Sequence, residues 1–392
     1  MGEELYAEVV DPDKHDRPCR VYAPVGNHED LLPYLVRRLL ENGSNTSFVN
    51  KIADVSIAVE DIVADPLETA AGHDYAAHDR IPTPADIFQP ERDNSKGINL
   101  ADRNVSRQLL AELEDASGIE LTAKPIIGGK VVDVAEVVSV NPTNVSEAVG
   151  VCHQAAADDI RKAVDIAVAA QPSWDRLGAH ERAAILNRAA DLYEAHRAEL
   201  LGLIVREGGR TIPDAISELR EAVDVMRYYG AQAIKHFGEP ILLPGPTGER
   251  NTYSMRGKGV FIAISPWNFP LAIFTGQVTA ALAAGNAVLA KPAAPTTLIA
   301  YRAIQLLHEA GVPHDVLHYV PCGGRVIGEV GVADPRIAGV VFTGSTEVAQ
   351  TINQTLAHRD GPIGTLIAET GGQNAMFVDS SALPEQVVHD AI

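Results

Sequence analysis

Four polar residues that could do chemistry each follow a short apolar segment in the C-terminal third of the chain. They are Asn268 in SPWNFP, Lys291 in AVLAKP, Ser345 in VVFTGSTEVA and Glu369 in TLIAETGG. A stiffly held side-chain amide can donate to a developing oxyanion, and a carboxylate can act as a general base. A Gly-Ser pair at the start of a helix presents backbone amides to a pyrophosphate. A lysine at a strand end can reach a bound ligand.

Each of these residues also has an ordinary structural explanation. The Gly-Ser pair is compatible with a common helix cap, and Asn268 with an Asx turn in a proline-rich loop. Lys291 is compatible with a lysine that extends its ammonium into solvent. Glu369 is compatible with a solvated acid at a strand end. Taken singly, none of the four residues specifies a function.

The segments around these residues predict alternating strands and helices. Apolar strands are predicted at 259–265, 286–292, 316–321, 337–344, 365–370 and 375–379, and helices at 274–285, 298–311 and 345–357. Alternation of this kind implies an α/β fold with a parallel sheet covered on both faces. The carboxyl ends of parallel strands share one edge, where ligands of open α/β sheets bind. The four polar residues are therefore predicted to converge on one cleft at that edge.

The rest of the chain divides by composition into three parts, predicted at 1–57, 58–117 and 118–392. A strand-like run and an amphipathic helix at 27–43 make up the first part. The second part is rich in proline and polar residues and predicts a linker or arm, with a short helix near 101–117. Strong amphipathic helices are predicted in the third part at 157–174, 180–209 and 216–237.

Composition excludes several classes of function. The chain has 392 residues, 46% of them hydrophobic, which is enough for a substantial core. Its formal net charge of −20 argues against nonspecific binding to nucleic acid or anionic membranes. The acidic start lacks an apolar signal core, so a cytoplasmic location is predicted. Cys19, Cys152 and Cys322 are far apart and predict neither a metal site nor a disulfide framework.

The ordered motifs SPWNFP, LAKPA, FTGSTEVA and ETGGQN resemble those of the aldehyde dehydrogenase superfamily, from about residue 118 to the end. Upstream, RPCRVYAPVG, YLVRRLLENGSNTSFVN and RDNSKG resemble the bifunctional PutA family. That family joins a proline dehydrogenase barrel to an L-glutamate γ-semialdehyde (pyrroline-5-carboxylate) dehydrogenase. The resemblance implies an incomplete aldehyde dehydrogenase-like, Rossmann-type parallel sheet domain. The last strand and helix of a proline dehydrogenase (β/α)8 barrel would precede it.

The resemblance also implies a reaction. A cysteine thiolate attacks the aldehyde of glutamate γ-semialdehyde, and Asn268 holds the oxyanion. Hydride passes to a nicotinamide, and Glu369 activates water to hydrolyse the thioester to glutamate. The family's nucleophile would lie beyond Ile392, so this chain by itself is expected to be inactive.

The implied cofactor is NAD. The implied cofactor-binding residues are Pro266, Trp267, Lys291, Gly344 and Ser345. The family usually has a glutamate three residues after the lysine, where this chain has Ala294, so NADP is not excluded. Arg210 occupies a position where lysine is more common, a difference expected to be neutral.

Arg37, Arg38 and Glu41 match the family's proline-binding motif on the final barrel helix. Arginine forks suit a carboxylate, and a glutamate suits an amine. FAD and proline oxidation are expected only in a full-length protein, together with homo-oligomerisation. Two alternatives stay open: a non-catalytic nucleotide-binding or assembly module, and another aldehyde dehydrogenase with an unrelated N-terminal arm.

Overall fold

The computed structural model describes residues 3–19, 31–32, 34–36, 40, 51–52, 54–76, 81–118, 121–132, 136–372 and 374–391. The chain divides into two compact units, residues 1–81 and 82–392. The described residues of the predicted helix 27–43 are helical. The division at residues 57 and 117 stays a prediction.

Three short helices of the first unit have both ends among the described residues. They are α1 (Glu3–Val10), α2 (Val59–Ile62) and α3 (Pro66–Gly72). Asp65 begins α3 because its side chain accepts a hydrogen bond from the Leu67 amide at 2.8 Å, and proline follows at the first helical position.

The second unit holds the remaining helices. They are α4 (Arg103–Ser117), α5 (Ala157–Arg176), α6 (Ala179–Ala195), α7 (Arg197–Arg206), α8 (Ile212–Phe237), α9 (Ala272–Ala283), α10 (Thr297–Glu309), α11 (Gly324–Val326), α12 (Thr346–His358) and α13 (Pro384–Ala391). Two 3₁₀ turns at Pro84–Asp86 and Ala294–Thr296 and a π-helical turn at Ile327–Val332 complete the set.

The strands form three sheets. They are β1 (Leu121–Ala123), β2 (Ile126–Ile127), β3 (Lys130–Val131), β4 (Glu136–Asn141), β5 (Asn144–His153), β6 (Ile241–Leu243), β7 (Asn251–Tyr253), β8 (Val260–Ile264), β9 (Ala287–Lys291), β10 (Leu317–Tyr319), β11 (Ile337–Thr343) and β12 (Thr365–Glu369). The sheet orders are β1-β5-β4, β6-β7 and β12-β11-β8-β9-β10-β2-β3.

The seven-stranded sheet confirms the predicted parallel core. Strands β8 to β12 pair in parallel, while β2 and β3 add an antiparallel edge that the sequence did not predict. Every residue of β8 and β9 is buried, as expected for strands covered on both faces. From β8 the chain runs outward through β9 and β10, then returns to the other side of β8 with β11 and β12. This reversal creates a switch point between β8 and β11, where open α/β sheets bind ligands.

Two predicted elements differ from the structure. The predicted helix 180–209 is broken at His196, because α6 packs mainly on α8 while α7 packs on α4. The strand predicted at 375–379 is wrong: the described residues there form no strand, and Phe377 is 94% exposed. A strand needs a neighbouring backbone to complete its hydrogen bonds, and none of the described residues supplies one.

The segment before α4 is better fixed than a linker. Asn94 and Ser95 are buried, and the Asp224 carboxylate on α8 accepts from the Ser95 amide at 2.8 Å and the Ser95 hydroxyl at 2.7 Å. Arg227 donates to the Asn94 carbonyl at 3.3 Å. These contacts hold the segment against α8. In the described parts of the chain, no helix is long and apolar enough to cross a membrane.

Candidate active site

The carboxyl ends of four parallel strands lie side by side in the sheet. Ile264 at the end of β8 pairs with Lys291 at the end of β9 and with Phe342 near the end of β11. Thr343 pairs with Glu369 at the end of β12. The strand ends that carry the predicted site residues therefore share one edge of the sheet, on both sides of the switch point.

Asn268 lies in the exposed turn between β8 and α9. The turn begins after Ser265, whose amide donates to the Lys291 carbonyl at 3.2 Å, so it is tied to the neighbouring strand. The Asn268 carbonyl accepts a hydrogen bond from Arg210 Nη1 at 3.1 Å, and Arg210 lies 4.5 Å from the centre of the Phe269 ring. Trp267 is 60% exposed. Because its carbonyl is held, the Asn268 amide projects from a restrained backbone.

Lys291 is the most unusual charged group at the edge. Its side chain is 9% exposed, and burial lowers the pKa of its ammonium. Among the described residues no hydrogen bond or ion pair reaches this ammonium, and the buried thiol of Cys322 is its electrostatic neighbour. Burying an unpaired cation costs free energy. The ammonium can therefore donate hydrogen bonds to hydroxyl or anionic groups of a ligand.

Gly344 and Ser345 connect β11 to α12. Ser345 is the N-cap of α12, since its hydroxyl accepts from the Val348 amide at 3.3 Å. The sequence analysis described the Gly-Ser pair as compatible with such a cap. The other amides of the first turn have no partners inside the helix. Gly344 donates to the Glu369 carbonyl at 3.1 Å. A Cβ on Gly344 would lie 2.6 Å from the Phe342 ring, so any larger residue would require that ring or the turn to shift.

Glu369 ends β12 with an exposed side chain. Its backbone is fixed by the pairing with Thr343 and by the hydrogen bond from Gly344. The side chain is free to meet a water molecule or a substrate at the edge. A general base must be within hydrogen-bond reach of the proton that it removes, and an exposed strand end leaves room for such a contact.

Gln277 on α9 joins the two strands that flank the switch point. Its buried side-chain amide lies 2.9 Å from Ser265 Oγ after β8 and 2.9 Å from Thr343 Oγ1 at the end of β11. The bridge fixes the start of the Asn268 turn relative to the start of the Gly344 turn. No sequence pattern singled out this glutamine, because it lies within an apolar helix.

An apolar cavity of about 310 Å³ opens beside α12. Its walls come from the end of β8, the π-helical turn and the first turns of α12, and they include Ile264, Ile327, Val332, Val348 and Ile352. Arg359 holds these walls together, since its guanidinium donates to the carbonyls of Val332, Asp334 and Ile337 at 2.6–3.2 Å. A mostly apolar lining of this kind suits an apolar group.

The cysteines are poorly suited to nucleophilic attack. Burial raises the pKa of Cys322 to about 11 and raises that of Cys152 as well. Because the thiolate is the reactive form, both are inert near neutral pH. Cys19 is exposed but belongs to the first unit. The described residues contain no group of three or more potential metal ligands.

Some predicted site residues lie outside the described part of the chain. Two other residues at the site were not selected from the sequence. Arg37, Arg38 and Glu41 fall on residues that the structure does not describe. The role of Arg210 was missed, since its lysine-like position was expected to be neutral. Glu218 was missed too, although a glutamate three residues after buried Ala215 on an amphipathic helix is a detectable signal.

Comparisons with known proteins identify the families that this chain resembles. The aldehyde dehydrogenase family model matches residues 132–392, and the proline dehydrogenase model matches residues 1–51. Bifunctional protein PutA of Salmonella typhimurium is 46% identical over 404 residues, covering 100% of this chain and 30% of that protein. A crystal structure of a Bradyrhizobium japonicum PutA variant superimposes with a TM-score of 0.76 at 49% identity, covering 99% of this chain and 36% of that one.

A solved 1-pyrroline-5-carboxylate dehydrogenase from Thermus, with bound NAD, has a TM-score of 0.67 at 29% identity and covers 76% of this chain and 56% of that one. The chain thus spans about 30% of the length of the PutA relatives that it matches. The predicted PutA-type resemblance and the aldehyde dehydrogenase-like fold are confirmed. The family model covers well over half of the sequence, and the chain therefore belongs to the aldehyde dehydrogenase family.

Proposed function

We propose that residues 118–392 form the NAD(P)-binding part of an L-glutamate γ-semialdehyde dehydrogenase, in a polypeptide that converts proline to glutamate. The observation that carries the proposal is Lys291, a buried ammonium without a partner in the described chain, at the carboxyl edge of the sheet. The names of the PutA and pyrroline-5-carboxylate dehydrogenase relatives support the choice of substrate.

The residues at the edge fit a dinucleotide. Lys291 would donate to the adenosine ribose, and the turn of Gly344 and Ser345 would present helix N-terminal amides to the pyrophosphate. The apolar cavity beside α12 would take the adenine. Pro266 and Trp267 would line the nicotinamide end. When bound, the nicotinamide would supply the hydride acceptor for aldehyde oxidation.

The chain's own residues would act on the substrate carbonyl and on water. Asn268 would donate its side-chain amide to the oxyanion, from a turn whose backbone Arg210 restrains. Glu369 would take a proton from the hydrolytic water. Cys152 and Cys322 are poor candidates for the attacking thiolate, because burial raises the pKa values of both.

The choice between NAD and NADP depends on the 3₁₀ turn at Ala294–Thr296. A carboxylate at position 294 would bind the ribose hydroxyls and repel a 2′-phosphate. With Ala294 this repulsion is absent. We therefore propose that the site accepts NAD and tolerates NADP.

The match of residues 1–51 to proline dehydrogenase supports a second half-reaction in a longer polypeptide. There Arg37 and Arg38 would bind the proline carboxylate, and Glu41 would bind the amine. FAD would be the oxidant in that polypeptide. The ordering of the two reactions is chemically natural, since proline oxidation yields the precursor of the semialdehyde.

Titration calorimetry of the 392-residue chain with NAD and with NADP tests the proposal. We expect saturable 1:1 binding of NAD, weakened about tenfold or more in Lys291→Met and unchanged in the exposed-lysine control Lys162→Met. Addition of glutamate semialdehyde should produce no nucleotide reduction. Absence of nucleotide binding would favour an assembly module, and clear turnover would place the nucleophile among the three cysteines present.

A further inference from the structure

Arg210 contacts the Asn268 turn in two ways at once. Its Nη1 donates to the Asn268 carbonyl at 3.1 Å, and its guanidinium carbon lies 4.5 Å from the centre of the Phe269 ring. A hydrogen bond and a cation–π contact to successive residues fix the peptide between them. Arg210 itself follows Gly209, which has a φ of 67°, in the short loop between α7 and α8.

Glu218 holds the other end of the same turn. Its side chain on α8 is 1% exposed, and Oε1 accepts from the Leu271 amide at 2.6 Å and the Ala272 amide at 3.2 Å. These are the first amides of α9, which begins directly after the turn. A carboxylate at a helix N-terminus satisfies unpaired amides and complements the helix dipole. The turn is therefore held by Arg210 at Asn268 and by Glu218 at the point where it enters α9.

Each of these two side chains has one buried polar atom for which the described residues supply no hydrogen-bond partner. These atoms are Arg210 Nε and Glu218 Oε2. The two groups carry opposite charges and attract one another electrostatically. An apolar residue at position 210 would leave the Asn268 carbonyl without this donor, and one at position 218 would leave the Leu271 and Ala272 amides without this acceptor.

We propose that Arg210 and Glu218 are positioning residues that together fix the turn 266–270 and thereby set the direction of the Asn268 side chain. Their importance for oxyanion binding rests on the proposed function. The contacts of Arg210 and Glu218 with this turn, here called the clamp, are a conformational property of the chain without ligand. It is therefore testable without nucleotide or substrate, and failure of nucleotide binding would leave the test intact.

The chain contains two tryptophans, which provide a probe and an internal control. Trp267 lies in the clamped turn, whereas Trp174 is 2% exposed and donates to the Leu282 carbonyl at 2.9 Å in the core. Fluorotryptophan labelling of the 392-residue chain gives one fluorine NMR resonance for each. The Trp267→Phe variant assigns them.

We expect Arg210→Met to shift and broaden the Trp267 resonance while the Trp174 resonance stays in place. Arg210→Lys, which keeps a cation over Phe269, should restore most of the original signal. Glu218→Ala should also move the Trp267 resonance. Glu218→Gln should not, because a single oxygen accepts from both amides and the amide oxygen of glutamine can replace it.

Arg161→Met is the matched control, since Arg161 is an exposed arginine paired with Asp158 within α5. It should leave both resonances unchanged. An unchanged Trp267 resonance in folded Arg210→Met would overturn the proposal. Displacement of both tryptophan resonances would also overturn it, because the residues would then support the core in general. If Glu218→Ala does not fold, the Arg210→Met and Arg210→Lys pair decides the question.

Discussion

Glu207 and Glu218 make the same contact with two successive helices of the sheet domain. The buried Glu207 carboxylate accepts from the amides of Leu298 at 2.8 Å and Ile299 at 2.9 Å, at the start of α10. Glu218 does the same at the start of α9. Since α9 follows β8 and α10 follows β9, each glutamate fixes a helix that begins beside the candidate site.

This relationship predicts an unusual dependence of stability on pH. Burial raises the pKa of Glu207 and of Glu218 from 4.5 to about 7. Between these pH values the folded chain binds more protons than the unfolded chain, so each group makes stability fall as pH rises. Each glutamate lowers the free energy of unfolding by about 3 kcal/mol above pH 7 and does not lower it below pH 4.5.

Glu218→Gln should remove the destabilisation that the Glu218 carboxylate causes at high pH. Relative to the original chain, the variant should be equally stable below pH 4.5 and gain stability as pH rises to 7. Thermal unfolding midpoints measured across this range check the expectation. Glu181→Gln, an exposed glutamate on α6, serves as the control. A constant difference between Glu218→Gln and the original chain at every pH would contradict the prediction.

Lys291→Met should change binding and stability in opposite directions. Loss of one charge-assisted hydrogen bond costs about 1.5–3 kcal/mol, which raises the Kd for NAD about tenfold or more. Removal of a buried, unpaired ammonium should leave the unfolding midpoint unchanged or raise it. Calorimetry and thermal unfolding of the same preparations measure both effects. A variant that lost stability and bound NAD normally would assign Lys291 to the core instead.

Gly344→Ala should destabilise the turn between β11 and α12. The added Cβ would lie 2.6 Å from the buried Phe342 ring, and overpacking of this kind costs about 1–3 kcal/mol. NAD binding should weaken too, because a displaced turn would no longer hold the first amides of α12 in the same direction. In the control Gly324→Ala the added Cβ meets no atom within 4 Å. Equal unfolding midpoints for the two variants would refute the steric argument.

Ala294→Glu should increase the preference for NAD over NADP. A carboxylate at this position can accept from ribose hydroxyls and repels a 2′-phosphate, which changes the ratio of the two Kd values about tenfold. Competition calorimetry with both nucleotides gives the ratio. Ala294→Gln is the matched control, because it adds the same bulk without the charge. A ratio unchanged by the glutamate would show that the ribose lies elsewhere.

Strong local periodicity made much of the fold predictable. The alternation from Val260 to Glu369 gave the parallel strands and their helices, because burial on both faces produces continuous apolar runs. Elements that depend on distant partners were not predictable in the same way. The break at His196 and the missing strand at 375–379 both follow from which neighbours a segment meets.

The candidate site likewise has features that local sequence predicted and features that depend on distant contacts. The sequence by itself determined which residue types follow each strand, and the shared polarity of parallel strands placed Lys291 and Glu369 at one edge. Only the tertiary structure decided that Lys291 is largely buried, with no hydrogen bond or ion pair from the described residues, and that Arg210 and Glu218 hold the Asn268 turn. Burial and hydrogen bonding between residues far apart in the chain depend on packing in three dimensions, which local sequence patterns do not encode.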